Sequence, residues 1–224
     1  MRRRSHRENK KWSTSWNQNI RSRDVGENLR LVPYWERGIN RSHRIEVVID
    51  PGAAFGSGDH PSTLMGLELL EMAVSRARCE GSSGEMLDAG TGTGVLAIAG
   101  RLLGTGFTVG LDIDPAAIFT ARRNLRLNGL CRSTDQTECG VELIVGSLDA
   151  VRGTFGIVVA NLAAPVLLRL FWPLVERTGR SLILSGIADA MADEVIARYC
   201  SSGLRLNIGL KRDAWNAVWF EKEG

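Results

Sequence analysis

LDAGTGTG, residues 87–94, is the stretch on which the reading of this sequence turns. The short apolar run EMLDAG leads into three glycines at alternate positions, Gly90, Gly92 and Gly94, and the helical segment GVLAIAGRLLG follows at once. Glycines in a strand–turn–helix unit let the main chain approach a ligand that side chains would exclude, beside a helix N-terminus. Dinucleotide enzymes use a similar unit, so spacing must separate the readings. The fingerprint GxGxxG is absent: three residues after Gly92 stands Val95.

Downstream, strand and helix patterns alternate. FTVGLDID reads as a strand, and PAAIFTARRNLRLNG as a helix with Pro115 suited to its first turn and Gly129 to its end. VELIVG, FGIVVANL and RSLILSG are three more strands, with the apolar APVLLRLFWPLV between the last two. LRLNIGL and AWNAVWF follow with no helical stretch between them, which predicts an antiparallel pair at one edge. The expected fold is α/β: a doubly wound, mostly parallel seven-stranded sheet with an antiparallel C-terminal edge. Such sheets bind ligands at the carboxyl ends of their strands.

That rule picks out the acidic residues. Asp88 closes the first strand ahead of the glycines, and Asp112 closes the second, 18 residues after Gly94. A carboxylate at Asp112 is placed to accept both hydroxyls of a ribose. Asp114 could do the same if the strand ends later, or cap the following helix. Gly146 and Ser147 end the third strand, where they would edge an adenine pocket. A cofactor with a ribose and an ammonium but no pyrophosphate fits this set, Asp88 helping to hold the ammonium directly or through water. The expected cofactor is S-adenosyl-L-methionine.

Upstream, residues 1–40 form a polar, basic lead-in containing MRRRSHRENKK, Trp12, Trp16 and Trp35, and residues 41–224 form the cofactor-binding domain. The lead-in reads either as a solvated tail or as an RNA or acidic-protein contact. IEVVIDPG, residues 45–52, is a short strand ended by a turn, FGSGDHPST, residues 55–63, is glycine-rich, and LMGLELLEMAV is a helix. His60 is the one histidine in that glycine-rich segment. It reads either as a turn residue bonded to backbone or as a contact for substrate or for the donor's carboxylate. Asn161 ends an apolar strand at the ligand edge, where its amide is a cap or an acceptor for an amine.

Composition excludes other classes. The chain has 224 residues, a net charge of +3 and 44% hydrophobic residues, ordinary for a globular protein. No run approaches the roughly 18 apolar residues of a membrane span, and no signal peptide is evident. A cytoplasmic protein without a membrane partner is expected. Cys79, Cys131, Cys139 and Cys200 form no CxxC pair, and a zinc site would need a tighter cluster, so no metal is expected.

These motifs bring a family into view. The sequence resembles the ribosomal-protein lysine methyltransferases of the PrmA type over roughly residues 12–220, in SWNQN with VGENLRLVPYW, PGAAFGSGDHPST, LDAGTGTGVLAIAG, GLDIDPAAI, VVANLAAPVL and LILSGI. The pre-core segment together with Asn161 and Leu162 is the more specific part. The resemblance implies a Rossmann-like methyltransferase fold, a cytoplasmic enzyme that methylates protein, and a protein substrate of ribosomal type. It implies that Phe55, Gly56, Ser57 and Gly58 line the cofactor pocket, and that Asn161 borders both methyl donor and incoming amine. Ser57 and Asp59 stand where such proteins commonly carry threonines; serine keeps the hydroxyl, while Asp59 adds a carboxylate. The family's ribosomal enzymes also carry a separate N-terminal recruiting domain, and here about 40 residues precede the core. The usual substrate is therefore left open.

The expected reaction is methyl transfer to a lysine amine, with Asn161 orienting the amine and Asp59 or His60 aiding proton loss. The rivals are a methyltransferase acting on a small molecule or RNA, a nicotinamide enzyme, and a non-catalytic binder. No NPPY-type base pocket is present, and the glycine spacing disfavours the nicotinamide reading. Trp172 and the aromatics of WNAVWF are expected as packed core, an edge strand in the second case, or in the first an oligomer contact. Oligomeric state is not legible.

Overall fold

The computed structural model describes residues 20–39, 43–50, 59–82, 84–131 and 140–222. A seven-stranded sheet forms the centre: β4 (Met86–Ala89), β5 (Thr108–Asp112), β6 (Val141–Val145), β7 (Phe155–Asn161), β8 (Thr178–Ala188), β9 (Leu204–Arg212) and β10 (Trp215–Lys222). Their order across the sheet is β6-β5-β4-β7-β8-β10-β9. The first five are mutually parallel, whereas β10 runs antiparallel to both β8 and β9.

The parallel strands read as unbroken apolar runs because both faces are covered. In β7, Ile157 and Val159 enter one core while Val158 and Ala160 enter the other. On the first face lie α1 (Pro61–Cys79), α2 (Val95–Leu103) and α3 (Pro115–Leu127); on the second lie α4 (Ala164–Arg169), α5 (Phe171–Arg177) and α6 (Ala192–Cys200). Each fully buried leucine such as Leu67, Leu70 or Leu87 contributes about 1.5–3 kcal/mol. The apolar stretch 164–177 resolves into two short helices broken at Leu170.

A three-stranded sheet flanks the first face: β1 (Arg23–Val25), β2 (Leu29–Pro33) and β3 (Ile45–Ile49). Its strands lie on both sides of position 40, with β2 and β3 parallel. The β1–β2 turn is clasped by Glu71 of α1, whose buried carboxylate accepts from Glu27 N (3.0 Å), Asn28 N (2.7 Å) and Asn28 Nδ2 (2.6 Å). Only glycine fits at position 26, since a Cβ there would strike that carboxylate.

Two expectations need correcting. WNAVWF is not an edge strand: β10 lies between β8 and β9, and β9 is the edge. Its aromatics Trp219 and Phe220 are core on opposite faces, Trp219 beneath Arg76 and Phe220 stacked on Tyr199, while Trp215 is partly buried. Trp172 is not packed core either, being 58% exposed at the outer side of α5 and only leaning on Phe171. Pro173 and the short helix direct Phe171 and Leu174 inward, which leaves Trp172 on the far side.

Candidate functional site

The glycine turn follows β4 and lies at the carboxyl edge of the sheet. Gly90, Gly92 and Gly94 all take left-handed φ values (78°, 54° and 82°), conformations that strain an L side chain. Packing singles out Gly90: a Cβ there would come within 2.5 Å of Leu162 Cδ2. The residue after Asn161 therefore rests directly on the turn, joining the end of β7 to the loop after β4.

Asp88 is buried beneath this turn. Its Oδ2 accepts from Thr91 Oγ1 (2.7 Å) and Ala97 N (3.0 Å), while Oδ1 is buried with no partner among the described residues. Burial pushes the carboxyl up to about 7; the bonds from Thr91 and Ala97 oppose the shift, and the charge of Asp112 adds to it. Asp112, at the end of β5, is held from two sides: Oδ2 accepts from Gly92 N (3.0 Å) and Oδ1 from Asp114 N (3.0 Å). Each oxygen keeps a further lone pair for a hydroxyl. Of the two readings open for Asp114, the helix cap matches the geometry: it caps α3 by accepting from Ala116 N (2.8 Å). Ser147 follows β6 and is exposed, its hydroxyl donated to Asp149 (3.2 Å).

The other end of the site is built where β7, β8, β10 and the start of α1 meet. Asn161 pairs in register with Ser185 of β8, and its Nδ2 donates to Thr63 Oγ1 of α1 (3.1 Å). That bond turns the amide so that Oδ1 is left as acceptor. Gly186 gives it room, since a Cβ there would lie 2.6 Å from Leu162 O and 3.0 Å from Asn161 Oδ1. His60 is the N-cap of α1: Nδ1 accepts from Ser62 N (3.3 Å) and meets Ser62 Oγ (2.7 Å). Its ring stands edge-on to Trp215 of β10, with centroids 4.6 Å apart. Of the two readings open for His60, the backbone-bonded one matches this geometry. Asp59 is ion-paired with Arg23 of β1.

Phe55, Gly56, Ser57 and Gly58 lie outside the described residues. The structure thus brings Asp88, the three glycines and Asp112 together at one end, and Asn161 and His60 at the other, with Leu162 joining the two. Thr63 and Arg23 were missed, and Trp215 was read as packed core with the rest of WNAVWF. Trp215 carried a signal, as the first aromatic of a strand entering at the ligand edge; Thr63 and Arg23 carried none. A separate cavity of about 540 Å³ on the small sheet is bounded by Arg21, Ser22, Arg30, Trp35, Glu36 and Ile39. Its charges are already paired, Arg21 with Glu36 and Arg30 with Asp24.

The strand order, the glycine turn after β4 and the acid closing β5 define the class: this is the Rossmann-like methyltransferase fold. Comparison with known proteins narrows it. The profile of the family described as "Ribosomal protein L11 methyltransferase (PrmA)" matches residues 2–223. A ribosomal protein L11 methyltransferase of Pelobacter propionicus is 38% identical over 213 residues, 94% of this chain and 66% of that protein. One from Geobacter metallireducens is 35% identical over 212 residues, with the same coverage of each. The crystal structure of ribosomal protein L11 methylase from Lactobacillus delbrueckii subsp. bulgaricus superposes with a TM-score of 0.77 at 26% identity, covering 91% of this chain and 100% of that one. The chain belongs to the ribosomal protein L11 methyltransferase (PrmA) family. It spans about 66% of the length of these two curated relatives.

Proposed function

We propose that this protein transfers a methyl group from S-adenosyl-L-methionine to a lysine side-chain amine of a protein substrate. Ribosomal protein L11, named for the relatives, is the first substrate to test. The observation that carries this reading is Leu162, which packs Asn161's end of β7 against Gly90, so that an amine acceptor adjoins the glycine turn.

The site suits the cofactor by its own chemistry. Asp88 Oδ1, buried with no partner among the described residues, fits an ammonium group, the turn offers main chain where a Cβ would collide, and Asp112 presents two immobilised oxygens to a diol. When bound, S-adenosyl-L-methionine supplies an electrophilic methyl group on a sulfonium centre.

The protein's part is positioning, which supplies much of the acceleration in a displacement of this kind. The substrate nitrogen forms its bond to the methyl carbon as the carbon–sulfur bond breaks, the electron pair going to sulfur and a proton leaving nitrogen. A lysine amine has a pKa of about 10.4 in water, so the site must favour its neutral form by removing it from solvent. Asn161 Oδ1 accepts an amine N–H and aims the lone pair. Thr63 holds that amide in place, and Trp215 with His60 forms an aromatic side to the same corner. Asp59, paired with Arg23, and His60, capping α1, order the start of α1 beneath Thr63. Proton loss is assigned to neither of them.

The test is transfer of label from methyl-labelled cofactor to purified ribosomal protein L11 and to cell lysate separated into protein, RNA and small-molecule fractions. Protein labelling that falls about 100-fold in Asn161→Ala, with cofactor affinity changed less than about threefold, is the expected result. Label confined to RNA or small molecules overturns the protein substrate, and a parallel loss of binding overturns the orienting role.

A further inference from the structure

β3 is the edge of the small sheet, and a helix completes it. Ile45 N bonds to Asn28 O, so odd-numbered residues of β3 face β2 and even-numbered ones face away. The outward groups are met by two asparagines of α3 and its cap. Val48 N donates to Asn128 Oδ1 (2.8 Å) and Val48 O accepts from Asn128 Nδ2 (2.7 Å). Two residues on, Asp50 N donates to Asn124 Oδ1 (2.9 Å) and Asp50 O accepts from Asn124 Nδ2 (3.1 Å).

The match is metrical. Four residues of helix rise about 6 Å and two residues of strand about 6.6 Å, so amides at i and i+4 present a donor–acceptor pair at the strand repeat.

The two asparagines differ in where the second amide hydrogen goes. Asn128 returns it to Asn124 O of its own helix (2.8 Å). Asn124, fully buried, gives it to Thr93 O in the glycine turn (2.9 Å). The peptide unit carrying that carbonyl also carries Gly94 N–H, which is donated to Thr91 O (2.8 Å). A planar peptide held at both ends has its orientation set. Asn124 is the side chain that holds the outer end.

We infer that Asn124 is a positioning residue that locks the glycine turn to the end of β3, so that the small sheet and the cofactor turn are set as one unit, whereas Asn128 only anchors β3. The inference rests on the reading that the turn binds the nucleoside cofactor. It touches no reacting atom and acts through the 93–94 peptide.

The comparison is Asn124→Ala against Asn128→Ala in the full chain, below the unfolding transition of both. Two readouts are taken: affinity for S-adenosylhomocysteine by calorimetry, and amide exchange at Gly94. Both variants lose stability, since each leaves main-chain groups of β3 unpaired. Asn124→Ala is expected to weaken affinity about tenfold or more and to speed exchange at Gly94 at least as much; Asn128→Ala shifts each less than about twofold. Should Asn124→Ala not fold, Asn124→Ser enters the same comparison. Equal effects of the two substitutions, or an unchanged Gly94 in the Asn124 variant, overturn the inference. If the unsubstituted protein does not bind S-adenosylhomocysteine, the cofactor reading fails by itself, and Gly94 exchange alone decides whether Asn124 locks the turn.

Discussion

Asp88→Asn is the sharpest probe of how the cofactor end is built. Asparagine is nearly isosteric, and its oxygen still accepts from Thr91 Oγ1 and Ala97 N. What it removes is a buried titration. The folded-state carboxyl sits at about 7 against an ordinary value of 3.8, because burial penalises the charged form. A raised folded pKa means that the folded state binds the proton more tightly, so its stabilising contribution is full below pH 3.8 and is lost as pH rises through about 7. The displacement is worth about 4 kcal/mol over the whole range and about 2 kcal/mol between pH 5.5 and 8.5. Urea unfolding of the ligand-free protein at those two pH values measures it. The unsubstituted protein should lose about 2 kcal/mol more than Asp88→Asn on going to pH 8.5. Affinity for S-adenosylhomocysteine should rise about tenfold per pH unit up to about 7 and then level, because the ammonium favours the ionised carboxylate; the asparagine variant should be weaker and flat. Parallel stability profiles for the two proteins would refute the buried-carboxyl account.

Two further substitutions address neighbouring parts. Gly90→Ala forces a side chain into a left-handed conformation and against Leu162; a stability loss of about 1–2 kcal/mol with at least tenfold weaker S-adenosylhomocysteine binding is expected by calorimetry and urea unfolding. Glu71→Gln turns an amide N–H₂ toward donors that now meet a carboxylate, so unfolding should become easier by about 2 kcal/mol, with exchange at Glu27 and Asn28 accelerated.

The central sheet was legible because burial on two faces leaves its mark residue by residue, as in the unbroken apolar run IVVA at 157–160, and because glycines at 90, 92 and 94 mark a turn wherever they occur after a strand. Asp112 and Asn161 were legible by position, each ending a parallel strand. The small sheet was harder: β1 is three residues long, and Arg23, Asp24 and Arg30 dominate its composition, although Val25, Leu29 and Leu31 carry a buried pattern. The bond between Asn161 and Thr63 joins residues 98 apart, and the Asn124–Asp50 bonds join residues 74 apart. No local pattern announces such partners. Asn124 and Asn128 also look unremarkable on a helix until the strand they complete is seen beside them. β10 was read as an edge because strand order is a long-range property, and hairpin spacing says only that β9 and β10 pair.

The interior place of β10 has a consequence for assembly of the chain. β9 emerges before β10 during synthesis but has no sheet to join, since its single neighbour among the described residues is the strand made after it. Until residues 215–222 arrive, β8 exposes one unpaired ladder and β9 two, the kind of open template on which neighbouring polypeptides add. This strand therefore works as a clasp: one insertion seals two ladders, leaving only the outer side of β9 open, and it does so late, across the reversal at Asp213, whose φ of 52° makes it the strained residue of the hairpin. A nick at that reversal would cut the covalent link between β9 and β10, leaving the hairpin joined by its ladder, with β10 held on β8 by hydrogen bonds and the buried rings of Trp219 and Phe220.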